Sequence, residues 1–175
     1  AIRLKANLSP ADEKQTGQSR IGGNPDLPVG VPWPGQADNS LSFLLQINLA
    51  DSAKYPFNRD LPRKGLLSFF YDAQAQPWGY DPDDRGGWKV LYFDSIEQLV
   101  RRECPNTDVM QFQNGKFILE QQLVLPPANP VYIEEIGFTE QQAENYAEML
   151  EPMQEGPCHW LLGHPAEIQG EMRLE

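Results

Sequence analysis

Over residues 41–49 apolar and polar side chains alternate: Leu41, Phe43, Leu45, Ile47 and Leu49 are separated by Ser42, Leu44, Gln46 and Asn48. A period of two belongs to a strand, whose successive side chains point to opposite faces. The stretch therefore predicts a strand with one buried face, and with Gln46 and Asn48 turned towards solvent, a groove or another layer. Residues 65–71 are apolar on both faces, which predicts a central strand. Residues 50–63 between them have room for a loop with one helical turn, plugged by Phe57. Residues 88–93 predict a third strand. Asp94 followed by Glu97 reads as a capping box, predicting a short helix with Ile96, Leu99 and Val100 inward. Asn114-Gly115, set between Met110/Phe112 and Phe117/Leu119, predicts a type I′ hairpin whose second arm runs on through 123–125 to Pro126-Pro127. Thr139 and Gln142 frame the clearest helix. Ala143, Tyr146 and Leu150 are its apolar stripe, Glu140, Glu144 and Glu148 its wet face, and Pro152 its end. Residues 1–18 are polar, and predict partial order with a short helix near 10–15.

The organising stretch is Arg20-Ile21-Gly22-Gly23-Asn24-Pro25-Asp26-Leu27-Pro28, which continues through Val31-Pro32-Trp33-Pro34 into the alternating strand. Gly22-Gly23 permits positive φ or close backbone approach, and Pro25 forces Asn24 out of the helical region. Trp33, held among prolines, is expected to cover one edge of the core. A fainter copy, Trp160-Leu161-Leu162-Gly163-His164-Pro165, sets Ile21, Gly23 and Pro25 against Leu161, Gly163 and Pro165. Three matched positions make a weak repeat.

Ile21 to Pro28, Trp33-Pro34, Leu44-Leu45-Gln46-Ile47-Asn48, Gly65-Leu66-Leu67-Ser68-Phe69-Phe70 and then Leu161 to Pro165 with Gln169-Gly170 follow one another in order. That series resembles the YwqG-like family of bacterial proteins, a domain family of unknown function. The resemblance implies an α+β fold, mainly antiparallel sheet with a few short helices, internally duplicated. It implies no catalytic residue. In this reading residues 1–19 are a polar segment and 20–175 a single domain, with a first half over 20–125 and the start of a second over 126–175. Members of the family continue into a second alternating strand that this chain lacks, so the second repeat is expected to be incomplete, in a truncated or processed form or with its tail absent.

The length of 175 residues suits one domain or two small halves. Sixteen prolines, against a usual share of about 5%, argue for many short elements joined by stiff loops. A net charge of −11 opposes nucleic acid and anionic membranes. No run approaches the roughly 18 apolar residues of a membrane span, and the first ten residues hold no signal-peptide core. Cys104 and Cys158 lie far apart and outside any Cys-x-x-Cys unit, the usage of a reducing compartment, with a single disulfide left open. The expectation is a cytoplasmic protein of open oligomeric state; residue 1 is not Met, so a removed leader also stays open.

Chemistry is thin. Asp81, Asp83 and Asp84 sit in a glycine-closed acidic loop, but an EF-hand would need Asp or Asn where Arg85 stands and Glu where Tyr92 stands. Cys158-His159 and His164 sketch a zinc half-site or a thiol with its base. Zinc lacks further ligands, Cys104 being placed on an arginine-rich helix end, and the thiol lacks an orienting group beyond Glu167. No phosphate loop, nucleophile elbow or His-Glu-x-x-His helix is present. No metal and no cofactor is expected. The remaining signal is surface: Trp33, Trp78, Tyr80 and Trp88 are aromatics in or beside loops, next to Asp81, Asp83 and Asp84, a combination suited to a basic partner or cationic ligand. The favoured expectation is a non-catalytic protein-interaction module. The alternative is a small-ligand-binding protein or hydrolase with a pocket between duplicated halves, near Gln46, Asn48 and His164.

Overall fold

The computed structural model describes residues 1–7, 9–36, 39–55, 60–79, 81–153 and 159–164. The elements in chain order are β1 (Ile2–Asn7), β2 (Arg20–Ile21), β3 (Asp26–Pro28), β4 (Gly35–Gln36), β5 (Asn39–Ser40), β6 (Ser42–Asn48), α1 (Leu49–Ser52), β7 (Leu66–Tyr71), β8 (Trp88–Phe93), β9 (Leu99–Arg101), β10 (Lys116–Gln121), α2 (Pro130–Ile136), α3 (Glu140–Leu150) and β11 (His159–Leu161). The fold is α+β, its registered strand pairs antiparallel and the three α-helices among the described residues short. The chain divides into two compact units, Ala6–Leu119 and the remainder, which combines Ala1–Lys5 with the described residues from Glu120 onwards.

In the larger unit four strands form a sheet in the order β2-β6-β7-β8, so β7 is central as its two-sided apolar pattern requires. The alternation of β6 is broken by a bulge. Phe43 lies opposite Phe70 while Leu45 lies opposite Phe69, so two steps along β6 match a single step along its partner β7. Leu44 is the extra residue. Phe43, Gln46 and Asn48 consequently share a face with Leu66, Ser68 and Phe70, whereas Leu45 and Ile47 take the opposite face. This corrects the expectation that Phe43, Leu45 and Ile47 point the same way. On the first face Leu27, Leu41, Phe43 and Phe70 form a core, closed by Trp33, Leu91 and Phe93. Trp33 stands edge-on to Phe70 at 5.7 Å and its indole N–H donates to the Leu41 carbonyl at 2.9 Å. It does cover the core's edge.

Several local expectations give way. Residues 94–101 form no helix: Leu99–Arg101 pairs as β9 with β3, Asp26 lying opposite Arg101. Cys104 therefore follows a strand and not a helix end. Asn114-Gly115 turns no hairpin. Ile21 and Gly115 exchange backbone hydrogen bonds at 3.0 and 2.8 Å, and Gly23 N–H donates to the Phe112 carbonyl at 2.8 Å. The backbone groups a hairpin partner would satisfy are already taken by the glycine loop. Residues 123–125 likewise lie beyond the end of β10. Near the N-terminus β1 is a strand with Ile2 fully buried, where partial order was expected. No helix forms over 10–15, because carbonyls of that segment accept from the side chains of Arg20 and Arg101.

In the smaller unit β1 pairs antiparallel with β11, Ile2 opposite Leu161. Helix α3 begins as the sequence reads it, with Thr139 at the cap and Gln142 reciprocating, and Leu150 buried. Helix α2 carries signals the pattern reading passed over: Asn129 caps it, Pro130 opens it, and Gly137 closes it at φ 76°. Phe57, Cys158, Pro165 and Glu167 lie outside the described residues. Both Gly22 (φ 60°) and Leu162 (φ 58°) follow a strand in left-handed conformation. Gly23, however, packs on Asn114, whereas Gly163 packs on Trp160 and Ala1. These surroundings differ, and internal duplication is not shown.

Candidate functional site

Two constellations in the larger unit carry unusual residues, one buried and one open. The buried one is built on Gln46, the polar residue in an otherwise apolar stretch of β6. Its oxygen accepts from the Asp26 N–H at 2.9 Å, and its nitrogen donates to Asp26 Oδ2 and the Gln18 carbonyl, both at 2.7 Å. Asp26 is fully buried and also accepts from Gly17 N–H at 2.9 Å and Arg101 Nε at 2.5 Å. Arg101 then reaches the Glu13 and Gln15 carbonyls. Arg20, lying opposite Gln46 in the sheet, donates to the Asn24 and Asp12 carbonyls. Burial, with Arg101 nearby, holds its guanidinium below the ordinary value, against the pull of Asp26, Glu13 and Asp12. The bonds to Asp12, Glu13, Gln15, Gly17 and Gln18 tie residues 12–18 to the strands. Gln46 thus faces another layer, one of the placements its position in β6 allowed, and the arrangement is structural. The sequence reading passed over Asp26, Arg20 and Arg101. The usable signal was Gln46 itself, since an amide within a buried run requires partners.

The open constellation lies on the other face of the sheet. Exposure of apolar side chains rises from β6 to β8. Ile47 is buried, Leu67 and Phe69 are half-buried, and Trp88, Val90 and Tyr92 are 43%, 51% and 44% exposed. The β7–β8 connection stands beside the Trp88 end of this strip. Trp78 is 70% exposed there, and a Cβ placed on Gly79 would come within 3.5 Å of the Trp88 ring. Asp81 accepts from Asp83 N–H and Asp84 from Gly79 N–H, so two carboxylates hold the loop while Asp83 stays exposed. Tyr71 pins the loop from below, its hydroxyl donating to the Pro77 carbonyl at 2.8 Å. The structure thus brings Trp78, Trp88, Asp81, Asp83 and Asp84 together, adds Val90 and Tyr92, and leaves Trp33 in the core. Tyr80 lies outside the described residues.

A family model described as a domain of unknown function, DUF1963, matches residues 19–175. The chain belongs to this domain family. No curated protein matches it.

Elsewhere in this DUF1963 domain Asn48 lines a cleft of about 420 Å³ with Ser19, Asp51, Lys116 and their neighbours. Its polar groups are largely engaged: Ser19 donates to Asp51 at 2.6 Å, and Asn48 bonds Gly17 and Ala50. A second void beside Cys104 has room for no more than a water, about 10 Å³. His164, in the smaller unit, is half-buried, and its Nδ1 lies 2.9 Å from the Tyr132 hydroxyl. Among the described residues no group of three His, Cys, Asp or Glu side chains could hold a metal ion, and no helix is long and apolar enough to cross a membrane.

The Tyr71 phenol is raised above its ordinary value of 10.0, by burial first and then by Asp72 and Asp84. The folded protein therefore holds that proton more tightly than the unfolded chain. The corresponding stability is complete below the unfolded value and is lost as pH rises through the raised folded one. In an alkaline titration followed by tyrosinate absorbance, Tyr71 is expected among the late phenols, and Tyr71→Phe to remove one late phase. An unchanged late phase would contradict the assignment.

Proposed function

We propose that the domain is a non-catalytic protein-interaction module that receives a basic partner on the surface formed by Trp78, Trp88, Val90 and Tyr92. One observation carries this reading: large apolar side chains stand open on a sheet face while exposed Asp81 and Asp83 border the same patch. Aromatic faces ringed by carboxylates attract cationic side chains, and exposed apolar strips rimmed by charge mark protein contacts. The test is capture from lysate by the intact chain, compared with Asp83→Lys and Trp78→Ala. Asp83 is the better site for charge reversal because Asp84 holds the loop. The expected result is at least a tenfold loss of captured basic protein with each variant. Equal capture by all three chains would overturn the reading.

The ordered landmarks from Ile21 to His164 support kinship with the YwqG-like proteins, a single domain over 20–175, and a second module begun at Trp160. Separated thiols support a cytoplasmic setting. The cleft lined by Asn48 favours a second reading, a small-ligand-binding protein or hydrolase. Its mark would be stabilisation by a small polar metabolite that is lost in Asn48→Ala and kept in Asp83→Lys.

A further inference from the structure

We propose that the partner binds by adding an extended strand to the outer edge of β8, an inference that rests on the interaction-module reading above. Strand β8 ends the four-stranded sheet, and among the described residues no backbone group bonds to its outer edge. Such an edge offers a row of unpaired N–H and C=O groups that templates another strand. Six residues, Trp88–Phe93, give a ladder about 20 Å long at roughly 3.3 Å per residue. Charge then selects the occupant. Exposed Asp81 and Asp83, with Asp84, precede the strand, while exposed Asp94 and Glu97 follow it. Within the strand the one charged residue is Lys89. A segment with basic residues at both ends and alternating apolar residues between them complements this pattern. Its alternate side chains lie beside Trp88, Val90 and Tyr92, and its terminal cations meet the flanking carboxylates. A second copy of this chain, at net charge −11 and with the same acidic flanks, meets repulsion instead.

The test uses the intact chain and a synthetic peptide, Lys-Lys-Thr-Val-Thr-Val-Thr-Val-Lys-Lys, in three forms: unmodified, N-methylated at the three valines, or N-methylated at the three threonines. Alternate amides of an added strand face β8, so methyls on one set block the ladder and methyls on the other point to solvent. Calorimetry is expected to show binding of the unmodified peptide, at least tenfold weaker binding for one methylated form, and little change for the other. Val90→Pro should lose binding in parallel, and the peptide comparison stands even where that variant fails to fold. Equal binding of the two methylated forms would overturn strand addition. If Asp83→Lys still weakened that binding, the acidic-aromatic reading would survive it. Absence of binding by every form, or self-association abolished by Val90→Pro, would also overturn the proposal.

Discussion

Replacing Gly22 with alanine is expected to destabilise the domain by about 2–5 kcal/mol, the sum of a conformational and a steric part. Gly22 has φ +60°, a conformation that costs a residue with a side chain about 1–2 kcal/mol. A Cβ there would also stand 2.2 Å from the Gln113 carbonyl oxygen and 2.8 Å from that of Phe112. Both are backbone atoms in a segment already bonded to Ile21 and Gly23, so relief requires shifting the pairing itself, a strain of about 1–3 kcal/mol. Gly30 supplies the control. Its φ is +87°, with nothing within 4 Å of the added carbon, so Gly30→Ala should lose only the conformational part. Urea unfolding of the two variants separates the contributions. Equal midpoints would mean that the close approach of residues 112–113 to the glycine loop does not hold the fold.

Asp26→Ala is expected to cost about 3–5 kcal/mol, because it strands a buried cation instead of merely deleting a contact. Asp26 is the acceptor for Arg101, Gln46 and Gly17 at once. Without it, the Arg101 guanidinium loses its ion-pair partner, buried Arg20 loses the foremost of the carboxylates that favour its charge, and Gly17 loses its acceptor. Arg101→Met alone should be similarly costly, since it leaves the Asp26 charge buried without its ion-pair partner. The double variant removes both charges and should lose far less than the two singles added together. A double-mutant cycle read from denaturant unfolding gives this coupling directly. Additive losses would show that the two side chains do not act as a pair.

The contrast between what the sequence shows and what it hides follows sequence separation. Strands β6, β7 and β8 and helix α3 are legible because periodicity and capping are local properties. The β9 segment resembles a helix start in sequence because Asp94 and Glu97 satisfy a capping pattern. What decides its conformation is Asp26, 75 residues from Arg101. Asn114-Gly115 carries a strong turn signal, yet its partner is Ile21. The bulge at Leu44 is equally invisible, since Leu44 and Leu45 satisfy either phase of the alternation. At the candidate surface, Trp78, Trp88 and the aspartates were legible as loop residues. Val90 and Tyr92 were not, because a strand of alternating apolar residues reads as half-buried until the sheet order places it at an edge.

Hydrogen exchange of the intact chain, with and without the lysine-flanked peptide, tests the location of binding most directly. Slowed exchange is expected only over residues 78–93, greatest in the amides of β8, with the segments at 15–19, 48–51 and 116–118 unchanged. Protection appearing around the Asn48 cleft instead, with β8 exchanging as before, would contradict it.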